Sequence, residues 1–186
     1  MFPKNSAMQT LDLKQSYFEL FGLDLAFDID RTYLNSAQQR LQAVYHPDRF
    51  VGASEREKRL SVQHASWINE AFETLSKPVK RARYMLELKG LKLNDESETT
   101  SDTAFLMEQI AIREEIEECR SNADPLGCCN LIIEKLRSKA DQFETEFVTN
   151  FSRGQLDDAR ISSRKMQFIQ RIMEQLMDLQ IELEEG

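Results

Sequence analysis

Residues 41–57 read LQAVYHPDRFVGASERE, an apolar segment that runs into His46-Pro47-Asp48 and resumes at a serine placed three residues before a glutamate. Pro47 has no amide hydrogen and disfavours helical backbone in the residue before it, so a helix arriving from the N-terminal side must stop near Tyr45. Ser54 and Glu57 have the S-x-x-E spacing in which each side chain caps the other's backbone amide, so a new helix starts there. Upstream, Asp30 suits the N-cap of a helix in which Leu34, Ala37, Leu41 and Val44 recur as a buried stripe. Downstream, Leu60, His64, Trp67, Ile68, Ala71, Phe72 and Leu75 continue a long amphipathic helix. Two such helices joined by so short a loop pair antiparallel, with His46-Pro47-Asp48 at the exposed tip.

Outward from this hairpin the pattern stays helical. Ser16 to Phe21 (SYFELF) is one or two turns ended by Gly22, and Pro78 opens a fourth helix carrying Lys80, Arg81, Arg83, Met85, Leu86 and Leu88 up to Gly90. From Gly90 to Asp102 the chain reads GLKLNDESETTSD, the composition of a linker. Three helical blocks follow, about 103–121, 126–151 and 155–184, separated by SNADPLG and by the turn at Arg153-Gly154, and short connections imply an antiparallel three-helix bundle. Ile132, Leu136, Phe143 and Phe147 form the core stripe of the middle block, and Ile161, Phe168, Ile172, Leu176, Leu179 and Leu183 that of the last. The expected organisation is therefore all-α: an N-terminal extension at 1–15, a helical-hairpin domain with short flanking helices at 16–89, a linker at 90–102 and a three-helix domain at 103–186.

Charge and composition narrow the function. Apolar residues make up 41% of the chain, while six glycines and four prolines are too few for a turn-rich all-β protein. Residues 1–90 carry 13 Lys+Arg against 11 Asp+Glu and residues 91–186 carry 11 against 21, which together give the net charge of −8. So acidic a second half argues against nucleic acid and anionic lipid, whose phosphates need clustered cations, and points to a protein partner with a basic patch. No apolar run reaches the roughly 20 residues of a membrane span. The start MFPKNSAMQTLDLK lacks the apolar core of a secretion signal. Cys119, Cys128 and Cys129 contain no C-x-x-C pair and lie far in sequence from His46 and His64, so no metal site and no cofactor are expected. Their odd number points to a reducing compartment, with the thiols as small helical or loop residues. Nucleotide-binding, zinc-protease and serine-hydrolase signatures are missing, so the chain is not expected to be an enzyme.

The first helix, the apolar second helix ending in Val44-Tyr45, the HPD loop and the long capped third helix follow the order of the J domain of DnaJ-like co-chaperones, and this half of the chain resembles it. The segments YFELFGL (Tyr17 to Leu23), INEAFETLSKPVKRARYMLELKG (Ile68 to Gly90) and DTAFLMEQIAIREEIEE (Asp102 to Glu118) further resemble HscB, the J protein of iron–sulfur cluster assembly. The resemblance implies two partners: an HscA-like heat-shock chaperone ATPase, met by His46, Pro47 and Asp48 with Arg40 and Arg49 alongside, and an IscU-like iron–sulfur scaffold protein. Asp48 would pair with a cation on the chaperone while His46 orients the contact. Basic residues are sparse on the second helix, where Arg40 stands among Gln38, Gln39 and Gln42, so electrostatic steering is expected to be weak.

The helix starting near Thr103 has two apolar faces at about 100° per residue. Phe105, Ile112, Ile116 and Cys119 form the expected core stripe. Leu106, Met107 and Ile110 fall on the other side with Glu114 and Glu118, and an apolar patch rimmed by carboxylates is a candidate protein-binding surface. The resemblance to HscB assigns scaffold binding to Leu106, Met107, Ile110, Glu114, Glu118 and Phe168, with Ala111 standing where the family can carry another carboxylate. Phe168 rests on resemblance alone, since its phase groups it with core positions. The alternative is a J-domain co-chaperone with a different client, its bundle used for dimerisation. The implied compartment is a bacterial cytoplasm, with a mitochondrial matrix as the other option.

Overall fold

In a computed structural model the described residues are 11–91, 93 and 103–185. Residues 1–10 of the expected extension and 92 and 94–102 of the expected linker lie outside them. The described residues form seven α-helices and no strand: α1 (Tyr17–Phe21), α2 (Arg31–Tyr45), α3 (Glu55–Ser76), α4 (Pro78–Leu88), α5 (Thr103–Arg120), α6 (Pro125–Ser152) and α7 (Leu156–Glu185), with a 3₁₀ turn at Pro47–Phe50. None of these helices is long and apolar enough to cross a membrane. The chain divides into two compact units, Met1–Met85 and Leu86–Gly186, a division that falls within α4.

Local chemistry sets the helix ends of the first unit. Ser16 and Ser54 each accept from the amide three residues on while Glu19 and Glu57 reach back to the serine amides, completing two capping boxes. The Ser54 hydroxyl and amide, donating to Glu57, and the Ser16 amide and hydroxyl, donating to Glu19, hold both glutamates below the usual carboxylate range. Gly22 closes α1 at φ +66°, the left-handed conformation that other residues resist. The Asp30 carboxylate accepts from the Thr32 and Tyr33 amides at 2.8 and 3.0 Å, starting α2 where expected.

The hairpin of α2 and α3 buries Leu34, Ala37, Tyr45, Ile68, Ala71 and Leu75, each large aliphatic side chain contributing about 1.5–3 kcal/mol. Val44 is not among them. It is 46% exposed and Tyr45 is 7% exposed, because eleven residues from Leu34 return to the same side of a helix and ten fall about 80° short. Tyr45 packs edge-on against the buried His64 with ring centroids 5.2 Å apart. Burial lowers the pKa of His64 below its ordinary value. Tyr17 stacks on Tyr84 at 4.4 Å and donates its amide to the Tyr84 hydroxyl at 2.9 Å, tying α1 to α4. The Arg81 guanidinium, buried on α4, donates to the Leu75 carbonyl and lies 4.7 Å from the Phe27 ring. The Lys80 and Lys77 ammonium groups pull Glu73 down to about 2, securing the α3–α4 corner.

The second unit is the expected bundle. Ile132, Leu136, Phe143 and Phe147 of α6 are buried against Ile169, Ile172, Leu176 and Leu179 of α7. Gly154, at φ +74°, turns the chain between the two helices. Near that turn the core of α7 is made of Ala159, Ser162 and Ser163, and Ile161 is 41% exposed instead of buried. At the other end of the bundle the cysteines depart from expectation. Cys119 and Cys128 form a disulfide with Cα atoms 5.5 Å apart, leaving Cys129 free and buried. The last turn of α5 and the first turn of α6 face each other across a short connection, which brings residues nine apart into bonding range.

Candidate functional site

The first unit presents His46, Pro47, Asp48 and Arg49 together at the tip of the α2–α3 hairpin. His46 leaves α2 with extended backbone, and Pro47 opens the 3₁₀ turn, where its missing amide hydrogen costs nothing. The His46 Nδ1 accepts from the Asp48 amide at 3.3 Å and lies 3.6 Å from the Asp48 carboxylate. A neutral ring that accepts at Nδ1 carries its proton on Nε2, so its second nitrogen remains a donor. The side chains are 54% and 86% exposed, so a pre-shaped donor and a solvent-facing carboxylate project from the tip.

Arg49 turns back and donates to the Ala43 carbonyl, one of the orphan acceptors at the end of α2. Its guanidinium therefore braces the tip as well as lending it charge. Arg40 stands apart on the exposed side of α2, its guanidinium 5.6 Å from the Tyr33 ring. Tyr33, Arg40 and Val44 follow the i, i+7, i+11 spacing of one helical face, and Tyr33 and Val44 are both more than 40% exposed. Three-to-four spacing from Leu34 misses this face because it places Val44 in the core. Eleven-residue phasing from Leu34 would have revealed it.

In the second unit α5 carries a separate surface. Phe105, Ile112 and Cys119 are buried and Ile116 is half-buried, while Leu106, Met107 and Ile110 are 40%, 65% and 50% exposed. Glu114, Glu118 and Ala111 are exposed beside them. The flank of α5 toward α6 is closed by ion pairs from Lys139 to Glu108 and from Lys135 to Glu115, the latter at 2.9 Å. A cleft of about 490 Å³ along the same flank includes Glu118, Cys128 and Leu131. Leu131 is 69% exposed, a second apolar residue that sequence spacing did not single out.

Phe168 is brought to the edge of this surface and not onto its outward face. Its ring meets Phe105 edge-on at 5.4 Å, and the Arg113 guanidinium lies 6.0 Å from its centroid. At this level the core of α7 consists of Met166, Ile169 and Ile172, so Phe168 is half-buried rather than a core residue. What the second unit offers is an apolar, carboxylate-rimmed surface bordered by an aromatic ring.

Three comparisons bear on these surfaces. Residues 101–177 match the family model described as the HSCB C-terminal oligomerisation domain. The chain is 37% identical over 170 residues to the co-chaperone protein HscB of Proteus mirabilis, covering 91% of this chain and 98% of that one. It is 39% identical over 165 residues to the HscB homolog of Shewanella halifaxensis, covering 87% and 94%. Among solved structures, chaperone HscB from Vibrio cholerae superposes with a TM-score of 0.83 at 34% identity, covering 91% of this chain and 99% of that one. The human co-chaperone HscB superposes with a TM-score of 0.87 at 27% identity, covering 97% and 89%.

Proposed function

Because the chain belongs to the HscB family of co-chaperones, we propose that it delivers an IscU-like iron–sulfur scaffold protein to an HscA-like heat-shock chaperone and stimulates ATP hydrolysis there, in a bacterial cytoplasm. The observation that carries this reading is the HPD tip, a rigid turn that holds the Asp48 carboxylate and the His46 ring outward at the end of a well-packed hairpin. The Asp48 carboxylate pairs with a cation on the chaperone, and the His46 ring fixes its direction through the Asp48 amide. Arg49 keeps the tip in place from behind, and Arg40, with Tyr33 and Val44, extends the contact along α2. Leu106, Met107 and Ile110 hold the scaffold, Glu114 and Glu118 meet its cations, and Phe168 closes the edge.

Linking the two surfaces in one chain raises the scaffold's effective concentration at the chaperone. The hydrolysis belongs to the chaperone, and no step requires a nucleophile or an acid–base pair from this chain. His46→Gln is expected to abolish stimulation of the chaperone's ATPase with helical circular dichroism unchanged. Full stimulation by the variant would remove the proposed role of the tip. A second reading, self-association through the bundle with a different client, is favoured by the description of the matching family model. Sedimentation across a range of concentrations separates the two, because a dimer burying Leu106, Met107 and Ile110 would compete with scaffold.

A further inference from the structure

The side of α5 turned toward α7 differs in kind from the rest of the second unit. A groove of about 390 Å³ runs there, and none of the residues lining it is acidic. Three arginines border it: Arg113 from α5, and Arg164 and Arg171 from α7. Residues 91–186 carry 21 carboxylates against 11 cations, so a carboxylate-free groove with three guanidiniums is not what their average composition supplies.

Pairing elsewhere on α5 sharpens the contrast. Lys135 and Lys139 are matched with Glu115 and Glu108, and Arg120 lies 3.6 Å from Glu182. Arg113 and Arg171 have no carboxylate partner among the described residues. On α7 the lining residues Arg164, Gln167, Phe168, Arg171 and Gln175 follow the i, i+3, i+4, i+7, i+11 spacing of one helical face. That face looks across to Phe105, Gln109 and Arg113. The groove therefore has an aromatic floor, the Phe105–Phe168 pair, and guanidinium walls. A carboxylate entering it would be desolvated by the rings and met by planar forks able to donate two bonds each. The glutamines can satisfy the peptide groups on either side of it.

The groove is continuous with the client surface. Arg113 lies three residues beyond Ile110 and seven beyond Leu106, on the same strip of α5, and Phe168 is shared by the groove and the edge of that surface. We propose that the α5–α7 groove is an anchoring subsite for an acidic side chain of the bound scaffold, clamped between Arg113 and Arg171 while its apolar neighbours pack on Leu106 and Ile110. This assignment rests on the reading of α5 as the scaffold-binding surface. It gives that surface a polarity: cations of the scaffold face Glu114 and Glu118 on one side, and an anion faces the arginines on the other. The scaffold then has one register on α5, which an apolar patch alone would not impose.

The test is calorimetric titration of the iron–sulfur scaffold protein from the same organism into the full chain, with Arg171→Glu, Arg113→Glu and Arg171→Lys variants and the Leu106/Met107/Ile110→Ala triple variant as reference. Each Glu variant is expected to weaken binding by at least about tenfold, the scale of a lost charge-assisted hydrogen bond. Arg171→Lys should fall between them and the native chain, and melting temperatures should be unchanged because both arginines are at the surface. Raising salt should weaken the native complex more than the Glu variants. Native-like affinity in both Glu variants, with binding lost in the triple variant, overturns the groove assignment and leaves the client surface standing. No scaffold binding by the native chain at any salt concentration overturns both.

Discussion

Replacing Leu106, Met107 and Ile110 together by alanine tests whether the outward face of α5 is built for a partner. Fully burying an aliphatic or methionine side chain is worth about 1.5–3 kcal/mol. The three side chains are 40%, 65% and 50% exposed in the free protein, so about half of that gain, roughly 1 kcal/mol each, remains to be realised on docking. Losing all three should cost about 3 kcal/mol of binding, a loss of roughly 100-fold in affinity at 1.4 kcal/mol per decade. The fold should not notice, because alanine is the best helix former and the substituted side chains lie outside the core formed by Phe105, Ile112 and Cys119. Calorimetric titration of scaffold gives the affinity, and thermal unfolding followed by circular dichroism gives the stability. An affinity within threefold of the native chain would refute the docking role. A melting temperature lowered by many degrees would show instead that these side chains stabilise the fold.

Two further predictions concern stability. In the oxidised protein, Cys128→Ser or excess thiol opens a disulfide that closes residues nine apart and should lower unfolding stability by roughly 2.5 kcal/mol, a contribution that is lost where a reducing cytoplasm keeps both thiols free; identical denaturant curves with and without reductant would contradict the staple. His64 is buried with its pKa below 6.5, so on acidification through 6.5 the unfolded chain takes up the proton first and stability falls until the folded-state value is passed. His64→Phe should remove the part of the slope that sets in as the pH falls through 6.5, and an unchanged slope would place the titration elsewhere.

The helices and their ends were legible because their signals are local. Pro47, the Ser54–Glu57 box, Asp30 and Gly22 each act within one turn, and every one marks the helix end expected of it. Departures arise where a residue's environment depends on something distant. Val44 is the exception, a matter of local phase: counting eleven residues on from Leu34 rather than ten selects Tyr45 as the covered residue. Ile161 has suitable spacing for the core, yet Ala159, Ser162 and Ser163 take the buried positions near the α6–α7 turn. The Cys119–Cys128 bond depends on how tightly α5 and α6 are joined. Half of the candidate surfaces followed the same rule. Leu106, Met107 and Ile110 could be placed by counting along one helix, whereas the arginine groove needs Arg113 and Arg164, 51 residues apart, to be set side by side. Arg49 was legible as a cation beside the motif but not as a brace, because its acceptor is the carbonyl of Ala43.

Delivery requires one chain to carry both surfaces at once. The most direct measurement is the chaperone's ATPase rate in the presence of scaffold, comparing the intact chain with an equimolar mixture of His46→Gln and Leu106/Met107/Ile110→Ala chains. In that mixture each surface is present but never on the same molecule. If delivery depends on tethering, the intact chain and scaffold should stimulate together well beyond either alone, and the mixture should show only what the triple variant achieves by itself. A mixture as effective as the intact chain would contradict delivery and reduce the two surfaces to independent activities.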